Sequence, residues 1–211
     1  METFALVHGA WHGAWCWEPL AGELEARGHR AVAVDLPCDD GDADCRRYAE
    51  IVVEALDGVE DAIVVGHSLG GLTIPLVPAK RLVFLCGLVP GGGMGDEVFV
   101  PGFSEGRRRD ELGRSSWFDL ERAVASLFHD CDPATARAAV ERLRPQARID
   151  DLGDELPDVE RVSIVGRHDR AVRPDWSRRV ARELLGVEPV EIETAHSPML
   201  ARPAELADLL V

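Results

Sequence analysis

The sequence contains one short segment whose residue types suit acyl-transfer chemistry, GHSLG at residues 66–70. It fits the pattern G-x-S-x-G, in which a serine occupies a sharp turn between a strand and a helix with its hydroxyl exposed. An apolar, β-branched run at residues 62–65 precedes the serine, and we expect a helix to follow it. The flanking glycines are explained if side chains there would strike neighbouring backbone. The pattern and its surroundings therefore predict Ser68 as a nucleophile, with a plain structural turn as the alternative.

Two phosphate-binding motifs are excluded by the residues of the same segment. A Walker loop requires a lysine after its last glycine, but Leu72 follows Gly71 here. A dinucleotide fingerprint requires the spacing G-x-G-x-x-G, which this segment does not supply.

A serine hydroxyl is a weak nucleophile at neutral pH, so it needs a histidine base and an acid that orients the histidine. His196, in ETAHSPM, lies between the last predicted strand and the last predicted helix, at the sheet edge where we expect Ser68. Asp169, in VSIVGRHDRAV, directly follows a predicted strand and lies between serine and histidine in chain order. The sequence therefore predicts Ser68, His196 and Asp169 as catalytic residues, with the alternative acids Asp96 or Glu97 after the preceding strand.

The first predicted strand leads into a turn of small residues, VHGAW at residues 7–11. Its backbone N–H groups lie at the same predicted edge as the N–H of Leu69. Two fixed donors directed at a developing oxyanion give a large part of the catalysis of acyl transfer. We expect His8 to brace this turn rather than to take part in the chemistry.

The elements that must position these residues alternate between strand and helix. Pro19, Pro174 and Pro203 open three predicted helices between or after the strands. Repeated strand, helix, strand units predict an α/β fold with a mostly parallel sheet of about six strands, in one domain at residues 1–211. The predicted strands cover residues 3–7, 31–35, 62–65, 82–86, 162–165 and 189–192.

The alternation fails at residues 91–157, which we interpret as an inserted helical lid before the last two strands. Two helical patterns lie within it, at residues 119–130 and 133–144. The basic cluster of the insertion, RRR at residues 107–109, is followed at once by Asp110 and Glu111. This pattern favours a solvated surface segment over an anion site.

Composition excludes several classes of partner and location. The formal net charge of −15 disfavours nucleic acid as a partner. The N-terminal segment has no cationic region, and the longest apolar run is too short to cross a bilayer, so we expect a cytoplasmic protein that does not bind membranes. Five cysteines without metal-ligand spacing predict reduced thiols, no metal site and no other cofactor.

Four segments together resemble the α/β-hydrolase superfamily, in the branch that holds plant methylesterases, hydroxynitrile lyases and bacterial esterase relatives. They are VHGAWHGAWCW at 7–17, VVGHSLGG at 64–71, GRHDRAV at 166–172 and AHSPML at 195–200. The resemblance implies that Ser68, Asp169 and His196 form a triad and that the amides of Ala10 and Leu69 form an oxyanion hole. It also implies substrate-pocket walls made by Trp11, His12 and Trp117.

The same resemblance separates esterases from lyases. Hydroxynitrile lyases of this branch carry a threonine after the first-loop histidine and a lysine after the catalytic histidine, where this chain has Gly9 and Ser197. We therefore expect a serine carboxylesterase that acts on a small ester, with a reduced lid and a more open pocket. Two alternatives stay open: a lyase or cofactor-free enzyme of secondary metabolism, and a non-catalytic binder of small ligands. The sequence allows a homodimer without deciding the oligomeric state.

Overall fold

A computed structural model describes residues 1–149 and 156–211 and contains a six-stranded parallel sheet. The order of its strands across the sheet is β2-β1-β3-β4-β7-β8. All six predicted strands are present, with ends shifted by at most two residues. The sheet therefore confirms the predicted α/β architecture. Its strands are β1 (Thr3–Val7), β2 (Arg30–Val34), β3 (Ile63–His67), β4 (Arg81–Leu85), β7 (Glu160–Gly166) and β8 (Val190–Ile192).

Helices cover both faces of the sheet, because alternate residues of each strand point to opposite sides. In β1, Phe4 and Leu6 pack into one apolar cluster, while Ala5 and Val7 pack into another. The first cluster includes residues of α1 (Glu18–Ala26), α6 (Pro198–Ala201) and α7 (Pro203–Leu210). The second cluster includes residues of α2 (Cys45–Leu56) and α5 (Pro174–Glu183).

The strand order explains where a site can form. From β1 the chain moves outward to β2, then crosses back to β3 on the other side of β1. Ligands of open α/β sheets bind beyond the carboxyl ends of the strands at such a reversal. The turns after β1 and β3, which carry Ala10 and Ser68, leave the sheet at this point, and β7 and β8 end at the same edge.

The predicted helix after Ser68 is replaced by two short 3₁₀ turns, Ser68–Leu72 and Ile74–Leu76. Pro75 and Pro78 lack the N–H groups that an α-helix needs, and the paired glycines in the first turn carry a high conformational entropy in the unfolded chain. The turn itself is retained, but the helix expected directly after it is not.

We call residues 91–149 the cap segment. It contains an unpredicted antiparallel hairpin, in which β5 (Arg107–Arg109) pairs with β6 (Ser115–Trp117). Its helices, α3 (Leu120–Ala123) continued by a wider π-helical turn (Val124–Phe128) and α4 (Pro133–Glu141), fall within the two predicted helical patterns. Residues 150–155 of the predicted insertion at 91–157 lie outside the described residues. No helix in the described part of the chain has the length and apolar composition needed to cross a membrane.

Candidate active site

Ser68 occupies a strained position directly after β3. Its φ of +51° lies in the left-handed region, which a residue with a side chain seldom adopts. Its carbonyl oxygen accepts a hydrogen bond from the N–H of Leu88 at 2.9 Å, which fixes the turn against the chain after β4. The side chain is half-buried and lines a cavity. Strain of this kind persists where the surrounding structure enforces it, and such residues cluster at functional sites.

Glycines allow the neighbouring loops to approach this turn closely. A Cβ atom added to Gly9 would lie 2.7 Å from the Cβ of Ser68. A Cβ at Gly70 would lie 2.7 Å from the carbonyl oxygen of Val7, and one at Gly66 would lie 2.7 Å from that of Gly70. Cβ atoms are essentially never found so close to other heavy atoms, so these glycines are required by the packing of the two loops.

The structure joins His196 to Asp169, as predicted. Their Nδ1 and Oδ2 atoms are 2.7 Å apart, and the two side chains are only 2% and 3% exposed. The second carboxylate oxygen, Oδ1, accepts hydrogen bonds from the N–H groups of Ala171 at 2.7 Å and Val172 at 3.0 Å. The imidazole therefore donates through Nδ1, and its Nε2 is the ring nitrogen left to accept a proton.

The loop of His196 is fastened to the residue that precedes Ser68. Nε2 of His67 lies 2.8 Å from the carbonyl oxygen of His196, and the centroids of the two rings are 4.8 Å apart. Burial lowers the pKa of His67 well below its usual value, so its ring is neutral and Nε2 donates this hydrogen bond. The hydroxyl of Ser68 itself makes no hydrogen bond to His196 or to another group in residues 1–149 and 156–211.

The cap segment also holds the loop of His196. The N–H of Ala195 donates to Oδ2 of Asp130 at 2.7 Å. The alternative acids Asp96 and Glu97 are both exposed, whereas Asp169 is buried against the histidine. Of the three candidate acids, Asp169 is the one that contacts the histidine among the described residues.

Cys86 was not singled out by the sequence reasoning, although it directly follows β4 at the same sheet edge. Within the described residues, the potential ligand atoms of Cys86, Asp169 and His196 form a group of three that lie within 4.8 Å of one another. Burial, followed by the charge of Asp169, raises the pKa of the Cys86 thiol well above its usual value. We therefore interpret the thiol as a neutral neighbour of the carboxylate.

Within the described residues, the turn after β1 leaves one backbone N–H without a partner beside Ser68. The N–H of Ala10 has no hydrogen-bond acceptor among the residues that the structure describes, and Trp11 has a φ of +65°. His8 braces the turn as expected: its Nδ1 lies 2.8 Å from the carbonyl oxygen of Gly9, and its Nε2 accepts the N–H of Leu36 at 3.0 Å. Burial lowers the pKa of His8 to about 4, so this brace is neutral at physiological pH.

A cavity of about 460 Å³ lies between this edge of the sheet and the cap segment. Trp11 lines it, as predicted, together with Ala10, Ser68 and Leu69. Two other predicted wall residues lie behind the lining. Trp117 packs edge-to-face on Trp11 with ring centroids 5.7 Å apart. His12 is buried, stacks on Trp15 and contacts the carbonyl oxygen of Ala10 through Nδ1 at 2.7 Å.

The basic cluster of β5 corrects one sequence interpretation. Arg108 and Arg109 are exposed, but Arg107 is half-buried with its guanidinium carbon 4.6 Å from the ring centroid of Phe103. Alternate residues of a strand point to opposite sides, so Arg107 and Arg109 share the face that lines the cavity and Arg108 faces away from it. The expectation of a uniformly solvated segment was therefore wrong for Arg107, which lines the cavity with Ser68.

Comparisons with known proteins agree with this fold. Methylesterase 3 of Arabidopsis thaliana is 28% identical in a comparison that covers 100% of this chain and 95% of that protein. Salicylic acid-binding protein 2 of Nicotiana tabacum is also 28% identical, and the comparison covers 100% of this chain and 96% of that protein. The crystal structure of polyneuridine aldehyde esterase superposes with a TM-score of 0.87 at 22% identity and covers 100% of this chain and 98% of that one, a likeness of fold.

A family model described as the alpha/beta hydrolase family matches residues 4–209. The match covers nearly the whole chain, including the turn of Ser68 and the pair of Asp169 and His196. The resemblance inferred from the four sequence segments is confirmed. The chain belongs to the α/β-hydrolase family.

Proposed function

We propose that this carboxylic ester hydrolase cleaves a small ester through Ser68, His196 and Asp169 by way of an acyl-enzyme. The observation that carries the proposal is the buried contact of 2.7 Å between His196 and Asp169, at the same sheet edge as a serine strained to a φ of +51°. The names of the methylesterase relatives support an ester as the substrate. The hydroxyl of Ser68 has no partner in the described part of the chain, and catalytic contacts of this kind often tighten only with substrate bound.

The proposed reaction has two halves. Oγ of Ser68 attacks the ester carbonyl carbon while Nε2 of His196 takes its proton, and Asp169 stabilises the imidazolium through Nδ1. The carbonyl oxygen becomes an oxyanion that accepts hydrogen bonds from the N–H groups of Ala10 and Leu69. The tetrahedral intermediate collapses, the carbon–oxygen bond to the alcohol breaks, and His196 returns the proton to the departing alcohol oxygen.

Water completes the cycle. His196 takes a proton from a water molecule, whose oxygen attacks the acyl carbon. The bond between the acyl carbon and Oγ of Ser68 then breaks, and His196 returns the proton to Oγ. The products are the free acid and the original serine. The high pKa of Cys86 keeps its thiol protonated, so it does not compete as a nucleophile.

The arrangement gives less support to a hydroxynitrile lyase. A threonine at position 9 would carry a Cβ atom 2.7 Å from the Cβ of Ser68, so the two loops would have to separate. The residue after His196 is Ser197, whose buried side chain supplies no cation for a departing cyanide. Release of cyanide from mandelonitrile without formation of an acyl-enzyme would favour the lyase.

The test compares three proteins by fluorophosphonate labelling and by ester hydrolysis. We expect the native chain and Ser104→Ala, which alters an exposed serine, to hydrolyse p-nitrophenyl butyrate and to react with a fluorophosphonate probe. Ser68→Ala should lose the labelling and at least about 10³-fold in kcat/KM. Undiminished turnover by Ser68→Ala would disprove the mechanism, and a native chain that neither reacts nor turns over esters would indicate a non-catalytic binder.

A further inference from the structure

Arg107 is held in an aromatic cage on the cap side of the cavity. Its guanidinium carbon lies 4.6 Å from the ring centroid of Phe103, 5.0 Å from that of Trp11 and 5.8 Å from that of Trp117. The three rings also pack on one another, with centroid separations of 5.7 to 6.1 Å. A guanidinium enclosed by packed rings loses much of the freedom of an ordinary surface arginine, so it is already ordered for a ligand.

The charge of Arg107 is not balanced within the described residues. No carboxylate there forms an ion pair with it, and its Nε is buried without a hydrogen-bond acceptor. Other arginines of the cap segment do have such partners: Arg114 contacts Asp110 and Arg122 contacts Glu105, each at 2.8 Å. A partly buried cation without a counter-ion costs free energy, and a bound anion would offset that cost.

The part of the cavity wall that β5 forms is positively charged. Arg107 and Arg109 line the cavity, and no aspartate or glutamate of the described residues does. This is opposite to the chain as a whole, whose formal net charge is −15. Burial, followed by the charge of Arg109, lowers the pKa of Arg107 to about 10, so the side chain still carries its charge at neutral pH.

Ser68 and Arg107 line the same cavity, which is large enough for a small organic molecule. We infer that this cavity binds esters that carry a carboxylate elsewhere in the molecule, with the carboxylate on Arg107 and the ester carbonyl at Ser68. The inference rests on the proposed function for the reaction and adds the charge of the substrate. A guanidinium matches a carboxylate with two parallel N–H to O bonds, so the contact would also orient the ester.

The test compares two series of esters that differ only in charge. Monomethyl esters of linear dicarboxylic acids from succinate to suberate are set against methyl alkanoates of the same acyl length, with methanol release as the measurement. At one or two chain lengths, we expect the native protein to prefer the anionic ester about 10- to 100-fold in kcat/KM. Arg107→Gln should abolish that preference, and Arg107→Lys should retain only part of it because an ammonium cannot form the paired contact.

Arg137→Gln is the matched control, because it removes the same charge from an exposed helix position outside the cavity. It should keep the full preference. An equal preference in Arg137→Gln and Arg107→Gln, or no preference in the native protein while neutral methyl esters are hydrolysed, would overturn the inference and leave the proposed esterase intact.

A binding measurement separates this inference from the proposed reaction. Calorimetry on the Ser68→Ala protein should detect monomethyl adipate and give a much weaker signal with methyl hexanoate. If no ester is hydrolysed but this difference is found, the anion site stands and the reaction does not. If neither ligand binds or both bind equally, the assignment of Arg107 is wrong.

Discussion

The two sides of the cavity are built by different means. On the sheet side, Ser68 and Ala10 are positioned by backbone: parallel strand ends, a positive φ and glycines that bring loops into contact. On the cap side, Arg107 is positioned by side chains, since three aromatic rings surround its guanidinium. If the proposed function is correct, the chemistry depends on a main-chain framework with little tolerance, whereas substrate choice depends on a wall of side chains.

The largest expected effect is on the sheet side, at Asp169. We expect Asp169→Asn to lower kcat/KM for p-nitrophenyl butyrate by about 10⁴-fold, since an amide no longer holds the imidazole with Nδ1 as the donor. The neighbouring N–H groups of Ala171 and Val172 still find an acceptor, so the melting temperature should change little. Asp96→Asn and Glu97→Gln, which alter the exposed alternative acids, should keep full activity. A large loss in either of these controls would move the acid away from Asp169.

The next effect tests the close approach of the two loops. Gly9→Ala adds a Cβ that must move away from the Cβ of Ser68, and this displaces the N–H of Ala10. We expect a fall in kcat of about 10²- to 10³-fold, the range for loss of one oxyanion donor. Gly41→Ala is the control, because its added Cβ meets no atom within 4 Å. Equal activities of the two variants would show that the loops of Gly9 and Ser68 can separate without loss of catalysis.

The sheet side was also the part that the sequence predicted best, because its signals are local. The turn of Ser68 and the positions of Asp169 and His196 follow from motifs that end predicted strands. Cys86 gave no such signal, since a lone cysteine after a strand has many uses. Its closeness to Asp169 depends on the pairing of β4 with β7, which are far apart in the chain.

The cap side was predicted less well, because its contacts are long-range and made by side chains. The helices of the cap segment show a 3.6-residue period and were found, but the hairpin of Arg107 reads locally as a charged loop. The direction of Arg107 depends on its register opposite Trp117 and on the distant ring of Trp11. The short 3₁₀ turns after Ser68 differ from the helix that the G-x-S-x-G pattern predicts, because Pro75 and Pro78 lie beyond that pattern and lack helix-forming N–H groups.

Acid should lower the free energy of unfolding, because histidines near the sheet edge are buried and neutral in the folded chain. Burial lowers the pKa of His12 from 6.5 to about 3, so between these values the unfolded chain binds a proton that the folded chain refuses. Stability is therefore unaffected above about pH 6.5 and falls by about 1.4 kcal/mol per pH unit below it, down to the folded pKa. The physical cause is that Nε2 of His12 is buried with no partner in the described residues, so a proton there would add an unpaired charge.

Denaturant unfolding at several pH values measures this effect. We expect His12→Asn to have a shallower loss of stability below pH 6.5 than the native chain, by about 1.4 kcal/mol per pH unit. Above about pH 6.5, where this histidine binds no proton in either state, the two proteins should have the same slope. Identical slopes for the native chain and His12→Asn below that pH would mean that this histidine is protonated in the folded state.

The smallest expected effect is on the cap side, at Trp117. This ring supports Trp11 and Phe103 from behind, with centroids 5.7 Å from each, and it does not line the cavity. Because aromatic pairs contribute about 0.5–1.5 kcal/mol each, we expect Trp117→Phe to change the ratio of kcat/KM between p-nitrophenyl butyrate and acetate by about two- to tenfold. Turnover of the acetate ester should be unchanged, since the smaller acyl group contacts less of the cavity wall.

Phe118→Leu is the control, because it alters an exposed ring next to the same hairpin, and it should leave kcat/KM for both esters unchanged. A loss on acetate as large as that on butyrate would mean that the cap wall and the catalytic framework are coupled rather than independent.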